Sequence, residues 1–369
     1  MKWLKGVFIL IVCYIVVSMI AFPQSSVAAV NKALNLCITS VVPALFPFFV
    51  CSSLLVSLGM AEFGSRFLSG IMKPVFGING SGAVALVLGI ISGYPVGADC
   101  AVNLYNSGKI TKREAERLIG FCNNSGPLFI IGTVGFCISG SAALGGILYI
   151  IHITSAVATG VVLSRLIKED NTVNPTVISE KQKRSVKIVS AFGDAVSKSV
   201  VTILNVCGFV VFFAVAESTI PEFFAHPFIN GLLEITGGIN DISKLNMDFA
   251  LKISLISMFL AFSGLSVFLQ VASIAADSDL EMRYYALGKF IQGIIAFVLT
   301  YVLFFILKTV GAWSPAYLPY SGEDMALWYA YPVTNMNIKS YLILIAGETV
   351  WCLLSIGILA AIAKKLPDD

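Results

Sequence analysis

An all-α polytopic membrane protein is the fold class this sequence predicts, with two inverted repeats that each hold a re-entrant helical hairpin and an interrupted transmembrane helix. Three observations carry that expectation. The 369 residues are 57% hydrophobic and only 12% charged, with a mean hydropathy of +0.89, whereas soluble domains carry about a quarter charged residues. Apolar runs of spanning length recur along the chain. Several of these runs are broken at their centres by glycine, proline and polar residues, at the depth where a span should be most apolar.

The elements follow in order. The run from Val7 to Phe22 trails Lys2 and Lys5. Its length approaches the ~20 residues of a span, so segment 1–29 reads as an uncleaved first helix rather than a signal peptide. Further spans are expected near 30–58, 118–138, 141–167, 194–217, 284–308 and 340–363. Two stretches do not fit as single spans. One, near 82–107, breaks at Ser92-Gly93-Tyr94-Pro95-Val96-Gly97; the other, near 249–278, breaks between Phe262 and Ser266. A kinked span is one reading of each, but two half-helices entering and leaving by the same face fit both the length and the break.

The matched contexts of these breaks point to an internal repeat. FLSGIMKPVFGIN (67–79) and FINGLLEITGGIN (228–240) share an apolar pattern and end on Gly-Ile-Asn. The chain then divides into a first repeat at 30–167, a polar cytoplasmic linker at 168–187, and a second repeat with a C-terminal helix at 188–369. With the N-terminus inside, most Lys and Arg fall on the cytoplasmic side, Lys198 among them. The outer side keeps Lys32, Lys244, Arg283, Lys289, Lys364 and Lys365.

A third break, Asn123-Asn124-Ser125-Gly126-Pro127, lies inside the run 117–135. Pro127 biases Gly126 away from helical geometry, and the amides and carbonyls so freed need partners in hydrocarbon. The candidate binding residues are therefore Ser92, Gly93, Tyr94, Pro95 and Gly97, then Asn123, Asn124, Ser125 and Gly126, then Ser263, Gly264, Ser266 and Gln270. Half-helix ends converging at mid-depth suit a small hydrophilic solute. Asp99 is a candidate for ion or proton coupling, or else sits at a wet hairpin tip. Gln292 and Gly293 mark a milder fourth break. His152 reads as a packing residue more readily than a proton relay, and Glu348 is an intramembrane acid.

Other function classes fit poorly. Only His152 and His226 are present, and the eight cysteines form no CxxC pair, so neither a metal site nor a cofactor is expected. A Walker A loop is absent. A hydrolase built on Ser266 lacks a histidine downstream of it. The net charge of +3 is spread thinly and does not mark a nucleic-acid partner. The expected partners are a small-molecule substrate and the lipid bilayer. A coupling ion (sodium or a proton) and homo-oligomer assembly are both compatible with the sequence.

At SGYPVGA, FCNNSGPLFIIGTVG and FSGLSVFLQ the chain resembles the YlbJ/SpoVV family of sporulation integral membrane proteins, within the nucleoside-recognition Gate group. That group is similar in repeat plan to concentrative nucleoside transporters. By position, the resemblance implies hairpin tips at Ser92–Gly97 and Ser263–Ser266, and an unwound helix at Asn123–Pro127. It further implies a secondary transporter moving dipicolinate, a small aromatic dicarboxylate, into the developing spore, with a non-transporting scaffold or a nucleoside carrier as alternatives.

Overall fold

The computed structural model describes residues 2–58, 70–138, 141–167, 188–220 and 227–309. The predicted span at 340–363, Glu348 and the linker 168–187 lie outside the described residues. Helices account for the described fold, with no strand among these residues. Four helical segments are long and apolar enough to cross a membrane, or six if each sharply bent pair is one span.

The first half opens with α1 (Lys2–Ala21) and α2 (Pro23–Leu36). Pro23 starts α2 where its missing N–H costs nothing, and the chain bends there by 104°. A π-helical turn, Cys37–Val41, carries α2 into α3 (Val42–Ser57), so the span predicted from residue 30 begins seven residues earlier, at the proline. After α4 (Gly70–Phe76) the chain turns through 94° into α5 (Ala83–Ser92) and α6 (Val96–Asn106). The helix α7 (Lys112–Cys122) follows, then a π-helical stretch, Leu128–Ile138, and α8 (Ala142–Leu166). Thr111 and Glu114 close a capping box at the start of α7, satisfying amides that the helix leaves open.

The second half comprises α9 (Ile188–Ser218), α10 (Pro227–Leu233), α11 (Ile235–Lys244), α12 (Phe249–Phe262), α13 (Gly264–Ile274) and α14 (Met282–Thr309). The helices α5 and α6 fold back on one another, as predicted, and so do α10 and α11. The stretch 249–278 does not. Its two helices run on as one 26-residue span, Phe249–Ile274, interrupted at Ser263. Two consecutive residues of positive φ, Ser263 at 70° and Gly264 at 72°, break the hydrogen-bond ladder there without reversing the chain. The second hairpin is therefore 227–244, with its tip at Leu233–Glu234, and Ser263–Ser266 is an interruption in a span.

The two halves then match element by element: hairpin, interrupted helix, long helix. Contacts with α14 fix their relative direction. Along α7, Glu116, Gly120 and Asn124 meet Glu281, Gly288 and Gln292 in ascending order, so α7 and α14 are parallel. Along α12, Phe249, Ser257 and Phe262 meet Phe304, Ala296 and Gly293 in descending order, so α12 is antiparallel to it. Equivalent elements of the two halves thus run in opposite senses. The 67–79 and 228–240 segments are not equivalent, since the former holds α4, ahead of the first hairpin, and the latter forms the second hairpin.

Both hairpins close through glycine. A methyl group on Gly97 would lie 2.3 Å from the Cys122 carbonyl oxygen and 3.0 Å from the Gly89 Cα, and one on Gly238 would lie 2.0 Å from the Gly231 Cα. Backbone cannot yield at such distances. Far from the hairpin tip, Tyr105 donates to Asp279 at 2.6 Å and Lys112 pairs with it at 3.1 Å. The buried Glu116 pairs with Arg113 at 3.0 Å and accepts from the Glu281 amide at 3.1 Å. These contacts seam the exit of the first hairpin to the turn between α13 and α14.

Two outcomes test this packing. Gly97→Ala should destabilise the protein by about 1–3 kcal/mol through overpacking, whereas Gly208→Ala, with nothing within 4 Å of the added methyl, should be neutral or mildly stabilising. Thermal unfolding in detergent measures both. The Tyr105 hydrogen bond, then Lys112, holds the Asp279 carboxyl below its usual range. A depressed carboxylate pKa contributes stability that is fully present above the unfolded value of about 3.9. It is lost as pH falls through the folded value. Asp279→Asn should therefore lower stability slightly at neutral pH and converge with the wild type on acidification below about pH 4.

Candidate functional site

The first hairpin ends where Gly93, at φ +82°, caps α5, and a cis Tyr94–Pro95 peptide leads into α6. This tip seats directly on the break in α7. A methyl on Gly93 would lie 2.7 Å from the Gly126 amide nitrogen, and the Tyr94 hydroxyl lies beside Ser125. The second tip seats on the second break. The Cβ position of Gly264, itself at φ +72°, faces the Leu233, Gly231 and Leu232 carbonyls at 3.4–3.5 Å. The two breaks meet as well, since Ser125 Oγ donates to the Leu260 carbonyl at 3.2 Å. Glu234, on the second tip, is close enough to act electrostatically on Tyr94.

The break at Asn123–Pro127 is wholly buried at its polar residues: Asn123, Asn124 and Ser125 are each at most 1% exposed. Its partners come from two long helices. From α8, the His152 Nε2 accepts the Ser125 amide at 3.1 Å. From α14, Gln292 donates to Asn124 Oδ1 at 2.9 Å, and the Tyr285 hydroxyl accepts from Asn123 Nδ2 at 3.0 Å. Asn124 Nδ2 turns back to the Phe121 carbonyl at 2.8 Å. Four buried polar atoms on the surrounding elements have no partner: Ser92 Oγ, Asn123 Oδ1, His152 Nδ1 and Gln270 Oε1. A buried polar group left unpaired is costly, and three of these four are oxygens able to accept from a solute.

Of the predicted residues, the structure gathers Gly93, Tyr94, Asn123, Asn124, Ser125 and Gly126 at one place, with Ser92 and Pro95 flanking the tip. Gly97 instead packs α6 on the Cys122 carbonyl. Ser263 and Gly264 form the second break, while Ser266 and Gln270, both buried, lie further along α13. No hydrogen bond joins these last two to Asn123–Ser125. Asp99 has a partner within the chain. It lies 3.3 Å from Lys198 of α9 and accepts from Asn103 at 3.0 Å, in a shallow depression lined by Phe49, Val96 and Thr202. Gln292 does not mark a fourth break, because α14 is continuous. Gly293 there admits Met258 and Phe262.

Charge asymmetry places Lys289 in an outer segment. It is instead 2% exposed, on a face of α14 shared with Tyr285 and Gln292, and donates to Gln292 Oε1 at 2.8 Å. The signal for it was present: Tyr285, Lys289 and Gln292 fall at i, i+4 and i+7, one helical stripe. Glu234 escaped notice because its hairpin is built of helices of seven and ten residues, too short to register as a span.

Fold and site together define an integral membrane protein whose two oppositely running halves enclose a buried polar centre at broken helices. The Gate family, described as nucleoside recognition, matches residues 38–154, which include the first hairpin and the Asn123–Pro127 break. The sporulation integral membrane protein YlbJ of Bacillus subtilis (strain 168) is 30% identical, over 82% of this chain and 83% of the relative. The chain belongs to the YlbJ family of sporulation integral membrane proteins. No solved structure matches it.

Tyr285→Phe should leave Asn123 Nδ2 buried without an acceptor, beside an Oδ1 already unpaired. A loss of about 1–3 kcal/mol is expected, read as a lowered denaturation midpoint in detergent, with α-helical content unchanged.

Proposed function

We propose that the chain is a secondary transporter of a small polar or anionic solute, dipicolinate during spore formation, working by alternating access around a site at the membrane midplane. One observation carries this reading: each hairpin tip rests on the broken point of an interrupted helix through glycine-thin backbone contact. Such contacts exclude water yet involve few interlocking side chains, so tip and break can part without unpacking a core. Parting them would expose the Asn123 oxygen, the Ser92 hydroxyl and the freed backbone of Asn123–Gly126 to a solute. In this reading both hairpins are re-entrant, and the opposed directions of the two halves supply the inward-open and outward-open states. The membrane is that of the developing spore.

The chain is read as a carrier and not an enzyme, in keeping with the commitment of His152 Nε2 to the Ser125 backbone. A nucleoside cargo is the second reading, favoured by the description of the Gate family that covers residues 38–154. Any coupling ion would be sodium or a proton. Asp99, neutralised by Lys198, is less suited to that task than the sequence alone implied.

Uptake of labelled dipicolinate and labelled uridine into reconstituted vesicles decides between cargoes. Asn123→Ala is expected to lower uptake at least tenfold, about 1.4 kcal/mol of lost binding. The transport reading is sunk if neither solute enters, and a nucleoside carrier is indicated if uridine alone does.

A further inference from the structure

The charged groups of the described interior sort into two kinds. Glu114 accepts from the Thr111 and Asn79 amides at 2.8 and 2.7 Å, Glu116 pairs with Arg113, Arg117 donates from Nε to the Arg113 carbonyl at 3.3 Å, and the partly buried Asp99 pairs with Lys198. Lys289 differs. It is 2% exposed, and no carboxylate of the described residues lies within 4.0 Å of it. Its one hydrogen bond goes to a neutral carboxamide, Gln292. An ammonium group taken out of water without a counter-charge costs several kcal/mol, and intramembrane charges mark function by default.

Placement indicates what the ammonium serves. Gln292 spans from Lys289 to Asn124 Oδ1, so the amine is joined through one side chain to the break that the hairpin tip covers. Tyr285, a turn earlier on the same helix, holds Asn123. The lysine is thus part of the wall of the broken helix, one hydrogen bond removed from it. An ammonium has three donors; the one described bond leaves capacity for a further acceptor. A neutral solute would leave the charge unmatched, whereas a carboxylate would match it.

We propose that Lys289 is the counter-charge for a carboxylate group of the solute bound at this centre. The proposal rests on the transport reading and names the residue that would select its anionic cargo. Gln292 holds the ammonium in place while the site is empty and shares it with the incoming anion when the hairpin tip withdraws. A carboxylate in contact with the amine relieves the unpaired charge, so occupation stabilises the membrane-embedded fold as well as selecting the cargo.

The test is ligand-dependent thermal stability of the purified full chain, with pyridine-2,6-dicarboxylate, its uncharged diamide and uridine as probes. Ligand that binds only the folded state raises the midpoint by mass action. Wild type should be stabilised by the dicarboxylate and not by the diamide. Lys289→Met keeps the volume and removes the charge. It should fold with stability close to the wild type in the absence of ligand, the loss of an unpaired buried charge offsetting the donor that Gln292 Oε1 gives up, and should bind the dicarboxylate at least tenfold more weakly. Lys289→Gln, read by calorimetric titration, serves if the methionine variant does not fold. Equal dicarboxylate affinity in wild type and variant overturns the role of Lys289 while leaving transport intact. Stabilisation by uridine or the diamide alone does the same. No stabilisation by any probe, together with no uptake into vesicles, removes both readings.

Discussion

Backbone amides opened inside a tightly packed interior have no water to turn to, and the arrangement of the polar centre follows from that constraint. The Asn123–Pro127 break frees donors and acceptors where its polar side chains are at most 1% exposed. The long helices α8 and α14 answer it with one contact set each: His152 takes the Ser125 amide, while Tyr285 and Gln292 take the two asparagines. Without those partners the break would be too costly to keep. With them, the helix stays broken and the hairpin tip has a polar surface to rest on.

Glycine sets how closely the remaining elements approach. The first hairpin, its partner helix and the break converge where Gly89 and Gly97 both face the Cys122 carbonyl. The second hairpin repeats the device with Gly231 and Gly238. Small residues let helices approach backbone to backbone, which favours association in lipid, where apolar side chains gain little by leaving one apolar medium for another. Larger apolar side chains such as Ile20, Leu204 and Phe290 are directed outward instead, on the helices that border the assembly.

Much of this was legible in the residues. Composition and apolar runs gave the class, and Gly93-Tyr94-Pro95 and Asn123–Pro127 were found because proline and glycine interrupt spans in ways no packing can hide. The second hairpin was not legible. The segment 228–240 reads as the apolar counterpart of 67–79, a lead-in to a hairpin, and only its packing against Phe259 and Gly264 reveals it as the hairpin itself. Ser263 is legible as a break but its geometry is not, because a sequence shows that a helix stops and not whether it turns back. Lys289 was misplaced because charge asymmetry assumes that cations lie in loops. Its neighbours Tyr285 and Gln292 on one helical stripe were the better guide.

The π-helical winding from Leu128 to Ile138 has a mechanical meaning. Each π turn takes in an extra residue relative to an α turn. Passage of one turn from π to α would therefore swing every side chain beyond it by about 100°. The segment follows directly on the break, and its Gly135 abuts Gly145 of α8. The half-helix is wound more loosely than an α-helix, so a withdrawal at its broken end that tightened one turn would reach its far end as a rotation.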